Sequence, residues 1–423
     1  MSVTVTGAPT RVRNWVIVFA IALAVVTYID RVCISFAAPY IQHDLGLSFE
    51  QMGYVFAAFT ASYALFEVPG GYLGDRIGPR RVLFRIVLWW SFFTAATGWT
   101  WSYLSLMVTR FLFGAGEAGC FPNLTRAFST WLPERETPRA QGILWLSARW
   151  GGAFTPPLAL LVIHYVGWRH AFEAFGCLGV VWGVVFFRWY RDDPAANPQV
   201  NAAELELLRN EAKPPIAHGK APWAKMVRSQ QVWMLCAQYF CLSYGWYFYI
   251  TWLPTYLKQG RGLTLTSTAL LGIMPLFFGG IGNAVGAFAT AFLVRRTGDL
   301  RWSRKLVACL GFAGASGFLL FSTRAGNPVT AIFAIALASF CNDLAIPCGW
   351  TAAMDIGGRF AGTVSGTMNM MGNLAGVVSP ALIGYILKHT GNWNLTFYIS
   401  AGIYVMGIAC WLALDPVTPL EAQ

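Results

Sequence analysis

Arg110 and Glu117 are the residues from which a chemistry can first be read. They lie in Arg110-Phe-Leu-Phe-Gly-Ala-Gly-Glu117-Ala-Gly-Cys-Phe-Pro122, an apolar, glycine-rich stretch inside a run long enough to cross a bilayer. A spacing of seven residues is close to two helical turns. Both side chains therefore point to nearly the same side, about 10 Å apart along the axis. A charge at mid-membrane costs about 3 kcal/mol on insertion scales and has to face a partner or a wet cavity. A carboxyl there can take up and release a proton, and a guanidinium can grip a carboxylate through two hydrogen bonds. The two residues read either as a buried structural ion pair or as part of a solute and proton pathway.

The elements that must hold these charges are membrane spans. The chain has 423 residues, 56% hydrophobic and only 12% charged, with a mean hydropathy of +0.51. A soluble surface needs about 25% charged residues. Nineteen Trp and 31 Phe suit interfacial belts and lipid-facing walls. Apolar runs place twelve spans, at about 15–36, 49–71, 81–101, 103–131, 139–164, 168–190, 230–257, 266–294, 304–321, 328–355, 362–387 and 393–414. The run from Trp15 is itself span-length, so it reads as the first span and not as a cleavable signal. The nine Cys form no C-x-x-C pair and the five His no H-x-x-x-H pair, so no metal site or disulfide framework is expected. With no nucleophile elbow or phosphate loop, a membrane enzyme or non-transporting receptor is disfavoured, and no cofactor is expected.

Cation placement sets the topology. With these spans, 21 of the 30 Lys and Arg fall on one side: the N-terminus, the loops after even spans, and the long polar segment 191–229. Five fall on the other side, and Arg31, Arg110, Arg126 and Arg149 lie inside. The positive-inside rule puts both termini and segment 191–229 in the cytoplasm of a multi-pass inner-membrane protein. The net charge of +11 is thus topological, and no nucleic-acid partner is expected. The halves also repeat. Gly152, Pro156, Trp168 and Phe172 recur as Gly376, Pro380, Trp393 and Phe397, and Pro122 matches Pro347. Parallel six-helix repeats around a central cavity are a transporter architecture. The expected domains are an N-terminal six-helix bundle over 1–190, a cytoplasmic linker over 191–229 and a C-terminal six-helix bundle over 230–423.

Gly70-Gly-Tyr-Leu-Gly-Asp75-Arg76-Ile-Gly-Pro-Arg80-Arg81 joins the second and third spans. With this loop the sequence strongly resembles the major facilitator superfamily, whose cytoplasmic loop reads G-x-x-x-D-R-x-G-x-R-R. The resemblance implies an all-α polytopic membrane protein of twelve transmembrane helices, with two six-helix bundles and a central cavity. Asp75, Arg76, Arg80 and Arg81 would then form a polar latch that favours one conformation and breaks in the other. The plainer reading is a cationic anchor with no gating role. Three further segments resemble the anion:cation symporter family: Tyr28-Ile-Asp30-Arg31, Gly114 to Pro122, and Asp355 to Gly362 with Gly366-Thr-Met-Asn369. That family includes bacterial carriers of galactonate, hexuronates and tartrate, and animal sialin. The resemblance implies that Asp30 and Glu117 are proton sites, that Arg110 serves the substrate carboxylate and that Asn369 serves its polar remainder. Tyr63 and Trp350 match a cavity tyrosine and a cavity tryptophan.

The residues support the same division. The first half holds Asp30, Arg31, Arg110, Glu117 and Arg149, which suit an anion and protons. The second half offers Asn342, Asp343, Asn369, Asn373 and the aromatic run Tyr244 to Trp252, which suit hydroxyls and the C–H faces of a polyol. Ala148-Arg149 departs from the family pattern. Arg149 either reaches the cavity and binds a second carboxylate, or anchors the cytoplasmic rim. Asp343 is either a second-half proton site or a group satisfied by Asn342 and helix-end contacts. The expected function is a proton-coupled, monomeric symporter that imports a small organic anion, a sugar acid such as an aldonate, uronate or aldarate, by alternating access. The alternative is a proton-coupled exporter of drugs or other solutes on the same fold, which calls for acidic walls with fewer arginines. The topology is checked in a cysteine-free background: Lys388→Cys reacts with a membrane-impermeant maleimide in intact cells and Arg209→Cys reacts only after lysis.

Overall fold

The structure is a computed structural model that describes residues 8–133, 136–210, 223–358 and 361–420, and these are helical with no strand. The helices are α1 (Arg13–Leu45), α2 (Phe49–Ile77), α3 (Pro79–Gly98), α4 (Tyr103–Glu117), α5 (Cys120–Trp131) and α6 (Thr137–Trp189). After a 3₁₀ turn come α7 (Ala202–Asn210), α8 (Trp223–Arg228), α9 (Gln230–Thr251), α10 (Leu253–Thr255) and a π turn over Tyr256–Gly260. The last six are α11 (Leu265–Thr297), α12 (Leu300–Arg324), α13 (Pro328–Leu344), α14 (Ile346–Gly357), α15 (Ala361–Thr390) and α16 (Trp393–Ala413). Among the described residues, seven segments are long and apolar enough to cross a membrane by length and composition alone, with α13 and α14 counted together.

Local chemistry explains the boundaries. Ser48 and Gln51 close the capping box at the start of α2: the Ser48 N–H donates to the Gln51 Oε1 at 2.9 Å and the Gln51 N–H to the Ser48 Oγ at 3.2 Å. Gly78 has φ 84° before Pro79, and a Cβ there would come within 2.6 Å of the Asp192 carboxylate, so only glycine makes this turn. α6 contains two spans, divided at Gly167 with φ 77° and ψ 163°.

Two further breaks fall inside spans. α4 gives way to α5 after Glu117, and α13 gives way to α14 after Leu344. A proline stands just after each. Pro122 and Pro347 have no N–H to give the carbonyls four residues back, Ala118 and Asp343, which removes one bond from the ladder at each break, although α1, α2 and α11 continue through Pro39, Pro69 and Pro275.

The chain divides into two compact units. The first contains residues 8–31, 62–151 and 162–210, and the second 32–61, 152–161 and the described residues from 223 onward. In the first unit α6 meets α1 closely: a Cβ on Gly151 would lie 3.0 Å from the Val25 Cα. In the second unit the start of α2 crosses α15 at two glycines. A Cβ on Gly53 would lie 2.6 Å from the Pro380 carbonyl oxygen and one on Gly384 2.5 Å from that of Phe49. Trp252 is fully buried beside this crossing and donates its indole N–H to the Pro380 carbonyl at 3.1 Å. Glu50 and Lys388 pair across it. α11 packs on α13 through Gly282 and Gly286, whose added Cβ atoms would meet the Phe340 and Leu344 carbonyls at 2.1 and 2.3 Å.

α7 is tied to the start of α1. Glu204 is fully buried and accepts from the Thr10 hydroxyl, the Val12 and Arg13 N–H groups and the Arg13 guanidinium. It thereby satisfies N–H groups at the first turn of α1, as a capping side chain does. Arg13 also pairs with Glu136 at 2.9 Å. Burial opposes ionisation of Glu204, but these hydrogen bonds outweigh it and hold the carboxyl below its usual range. A depressed folded-state value contributes stability above the unfolded value, and that stability is lost as pH falls through the folded one. Glu204→Gln should therefore cost about 2 kcal/mol at pH 7. The gap from wild type should close below about pH 4, as read by thermal unfolding in detergent across pH.

Candidate functional site

Asp30, Arg31, Tyr63, Arg110 and Glu117 all belong to the first unit. Asp30 and Glu117 are fully buried and Arg110 is 2% exposed, so these charges face the protein interior rather than lipid. The Arg31 Nε–H donates to a Glu117 carboxylate oxygen. Three rings surround that guanidinium: its carbon lies 4.7 Å from the Tyr63 ring centre, 5.4 Å from Tyr28 and 5.8 Å from Phe121. Arg110 lies over the Phe113 ring at 4.2 Å. Asp30 feels the charges of both Glu117 and Arg110 and faces the Trp90 indole N–H. Glu117 feels Arg110 as well as its bonded Arg31.

Two acids and two arginines therefore share one buried interior. The spacing on α4 puts Arg110 and Glu117 on one side, but the direct partner of Glu117 is Arg31, three residues on from Tyr28 in α1. Trp90, Tyr28 and Phe121 complete the cluster. Tyr28 and Phe121 lie within the segments that resemble the symporter family, whereas Trp90 lies in no motif and only packing reveals it. Thr27 and Cys120, 3.8 Å apart, flank it. Arg149 is half-buried on α6, two residues before the close contact of Gly151 with α1.

The expected latch is only partly described, because the Asp75 side chain lies outside the described residues. Arg76 and Arg81 are exposed. Arg80 donates from Nε and one Nη to the Phe187 carbonyl at 3.0 and 2.7 Å, and its backbone N–H donates to Asp192 at 2.9 Å. Arg80 thus ties the loop between α2 and α3 to the end of α6.

In the second unit Trp350 meets Tyr239 edge-on at 6.1 Å. The Tyr247 hydroxyl donates to the Asn373 Oδ1 at 3.2 Å. Gly372 and Gly376 pack against Tyr239 and Tyr247, where added Cβ atoms would approach ring carbons to 2.7 and 2.2 Å. Half-buried Asn369 lies one turn before Gly372 on α15. The residues give an aromatic and amide surface with no fixed charge. Tyr239 has no repeat partner or motif to mark it, and only packing reveals it.

The pattern for the major facilitator superfamily matches residues 20–380. The chain belongs to that superfamily. Its members and these relatives are transporters, so this superfamily chain is a multi-pass membrane transporter and not an enzyme. It is 37% identical over 399 residues to the probable sulfoacetate transporter SauU of Cupriavidus necator, covering 94% of this chain and 92% of that one. It is 31% identical over 402 residues to the hexuronate transporter of Bacillus subtilis, covering 92% of each. Among solved structures, a bacterial homologue of the human lysosomal transporter Spinster, in an inward-facing and occupied conformation, matches with a TM-score of 0.78 at 16% identity, over 95% of this chain and 96% of that one. That likeness establishes the twelve-helix superfamily fold.

The ring cage around Arg31 yields a prediction for this member of the superfamily. Tyr63→Ala should cost about 2 kcal/mol, the scale of a desolvated cation–π contact. Tyr63→Phe keeps the ring and should stay near wild type. Unfolding midpoints of the purified variants test both.

Proposed function

We propose that this chain is a proton-coupled symporter that imports a small organic anion, a sugar acid of the aldonate, uronate or aldarate class, across the cell membrane by alternating access. The observation that carries this reading is the buried Glu117–Arg31 pair, with Asp30 and Arg110 in the same field. An ionised Glu117 occupies Arg31. A proton on Glu117 removes the negative charge that holds the guanidinium, and Arg31 and Arg110 are then free to grip a carboxylate. Return of Arg31 to Glu117 expels both anion and proton. Coupling follows because one guanidinium serves two competing anions.

The relatives support the substrate class, since a sulfoacetate and a hexuronate carrier are each named for an anion with a carboxylate. Arg149 is the candidate for a second anionic group. Trp350 and Asn369 are proposed to take the hydroxyl-bearing remainder, by ring contact and amide hydrogen bonds. Arg76, Arg80 and Arg81, with Asp75, are proposed to gate the cytoplasmic side. We keep the division into bundles 1–190 and 230–423 joined by linker 191–229, cytoplasmic termini and a monomeric state as parts of the same proposal. With two protons and a monoanion, each cycle moves one positive charge inward, about 2.3 kcal/mol per 100 mV of membrane potential.

The test uses proteoliposomes with an imposed pH gradient and labelled D-glucuronate, galactarate or sulfoacetate. Glu117→Gln should abolish uphill uptake and leave counterflow exchange intact. Gradient-driven accumulation by that variant at the wild-type level would refute the role of Glu117.

A further inference from the structure

Gln238 of α9 is a fully buried amide that the reading above does not use. Burying an amide costs free energy unless its donor and acceptor find partners. Both do here, and each reaches another helix. The Trp411 indole N–H of α16 donates to the Gln238 Oε1 at 3.1 Å. The Gln238 Nε2 donates weakly to the Met368 Sδ of α15, 4.0 Å away. On α14, a Cβ added to Gly349 would lie 3.1 Å from the same Nε2, so the amide packs directly against that helix. One side chain thus joins four helices of the second unit. Polar contacts between helices hold their positions where the lipid supplies no hydrophobic drive.

The residues that follow these contacts form the aromatic and amide surface. Gln238 precedes Tyr239, Gly349 precedes Trp350 and Met368 precedes Asn369. In each pair the first residue is buried and the second half-buried. Successive residues of a helix point about 100° apart, so a contact that fixes the rotation of the first also aims the second. Tyr239 meets Trp350 edge-on at 6.1 Å, which ties α9 to α14 a second time. A Cβ on Gly372 would lie 2.7 Å from the Tyr239 ring, so α15 also closes on it. The three residues are therefore aimed by one polar junction and one ring contact.

We infer that Gln238 is a positioning residue for the hydroxyl-binding side of the substrate, acting through Tyr239, Trp350 and Asn369. It sets the preference for anions that carry hydroxyls over anions that carry none. The arginines of the first unit grip a carboxylate whatever it is attached to, so loss of the Gln238 amide bears on the hydroxyl-bearing remainder alone. The inference rests on the proposed function for what Trp350 and Asn369 bind. That Gln238 aims Trp350 rests on the contacts of the second unit.

The experiment compares D-glucuronate, which carries hydroxyls, with sulfoacetate, which carries none, in proteoliposomes holding Gln238→Leu, Trp411→Phe or both. Gln238→Leu should raise the KM for glucuronate about tenfold, the scale of one hydrogen bond, with kcat and the KM for sulfoacetate unchanged. Trp411→Phe should shift the glucuronate KM in the same direction by less. Each single variant orphans one buried polar atom, and the double variant removes both partners. The double variant should therefore recover the unfolding midpoint of wild type and keep the raised glucuronate KM. Should Gln238→Leu fail to fold, the double variant is read in its place. A glucuronate KM that recovers together with stability, equal shifts for the two anions, or no shift would each overturn the inference. If wild type does not take up glucuronate, the sugar-acid reading fails by itself, and fluorine NMR of fluorotryptophan-labelled protein decides the positioning. The line lost in Trp350→Phe belongs to Trp350; Gln238→Leu should move it, and an unmoved line overturns the role of Gln238.

Discussion

The first unit depends on one interaction, an ion pair between Arg31 and Glu117 in an interior with little water. Moving two such charges out of water costs several kcal/mol each, and their attraction offsets this only when the geometry is good and the remaining valences are met. Neighbouring rings and charges surround the pair. Tyr28, Tyr63 and Phe121 present ring faces to the guanidinium. Arg110 adds a second positive charge to the field of Glu117, and Asp30 adds a second acid. A pair in bulk water would be worth far less, because solvent screens it.

The helix breaks serve that interaction. An uninterrupted α4–α5 would spend the carbonyls near Glu117 on ordinary helical bonds. Pro122 leaves the Ala118 carbonyl without that bond, just after the acid. Pro347 does the same after Asn342 and Asp343. The two breaks present different groups: an ion pair in the first unit, and an amide bonded to a carboxylate in the second. Glycine does the complementary work where helices must touch, at Gly53 with Gly384 and at Gly282 and Gly286. Close backbone approach there fixes the helix positions that aim the polar groups.

The sequence by itself determined the twelve-helix fold and the capping box at Ser48, and it pointed to a repeat and to a chemical difference between the halves. These are local or periodic properties: a span is a run of apolar residues, a cap a matter of three positions, a repeat a constant offset. It also named the charged residues of the first unit, because a charge inside an apolar run is conspicuous whatever it touches. Which charges meet was decided only by the tertiary structure. Spacing along one helix joined Arg110 to Glu117, whereas packing of α1 against α4 gave Glu117 to Arg31. Tyr239 against Trp350, Glu204 capping α1 and the close packing of Gly279 against Asp343 were invisible for the same reason. Each joins residues far apart in the chain, and pairing across helices is set by their rotation and crossing, which no single segment encodes.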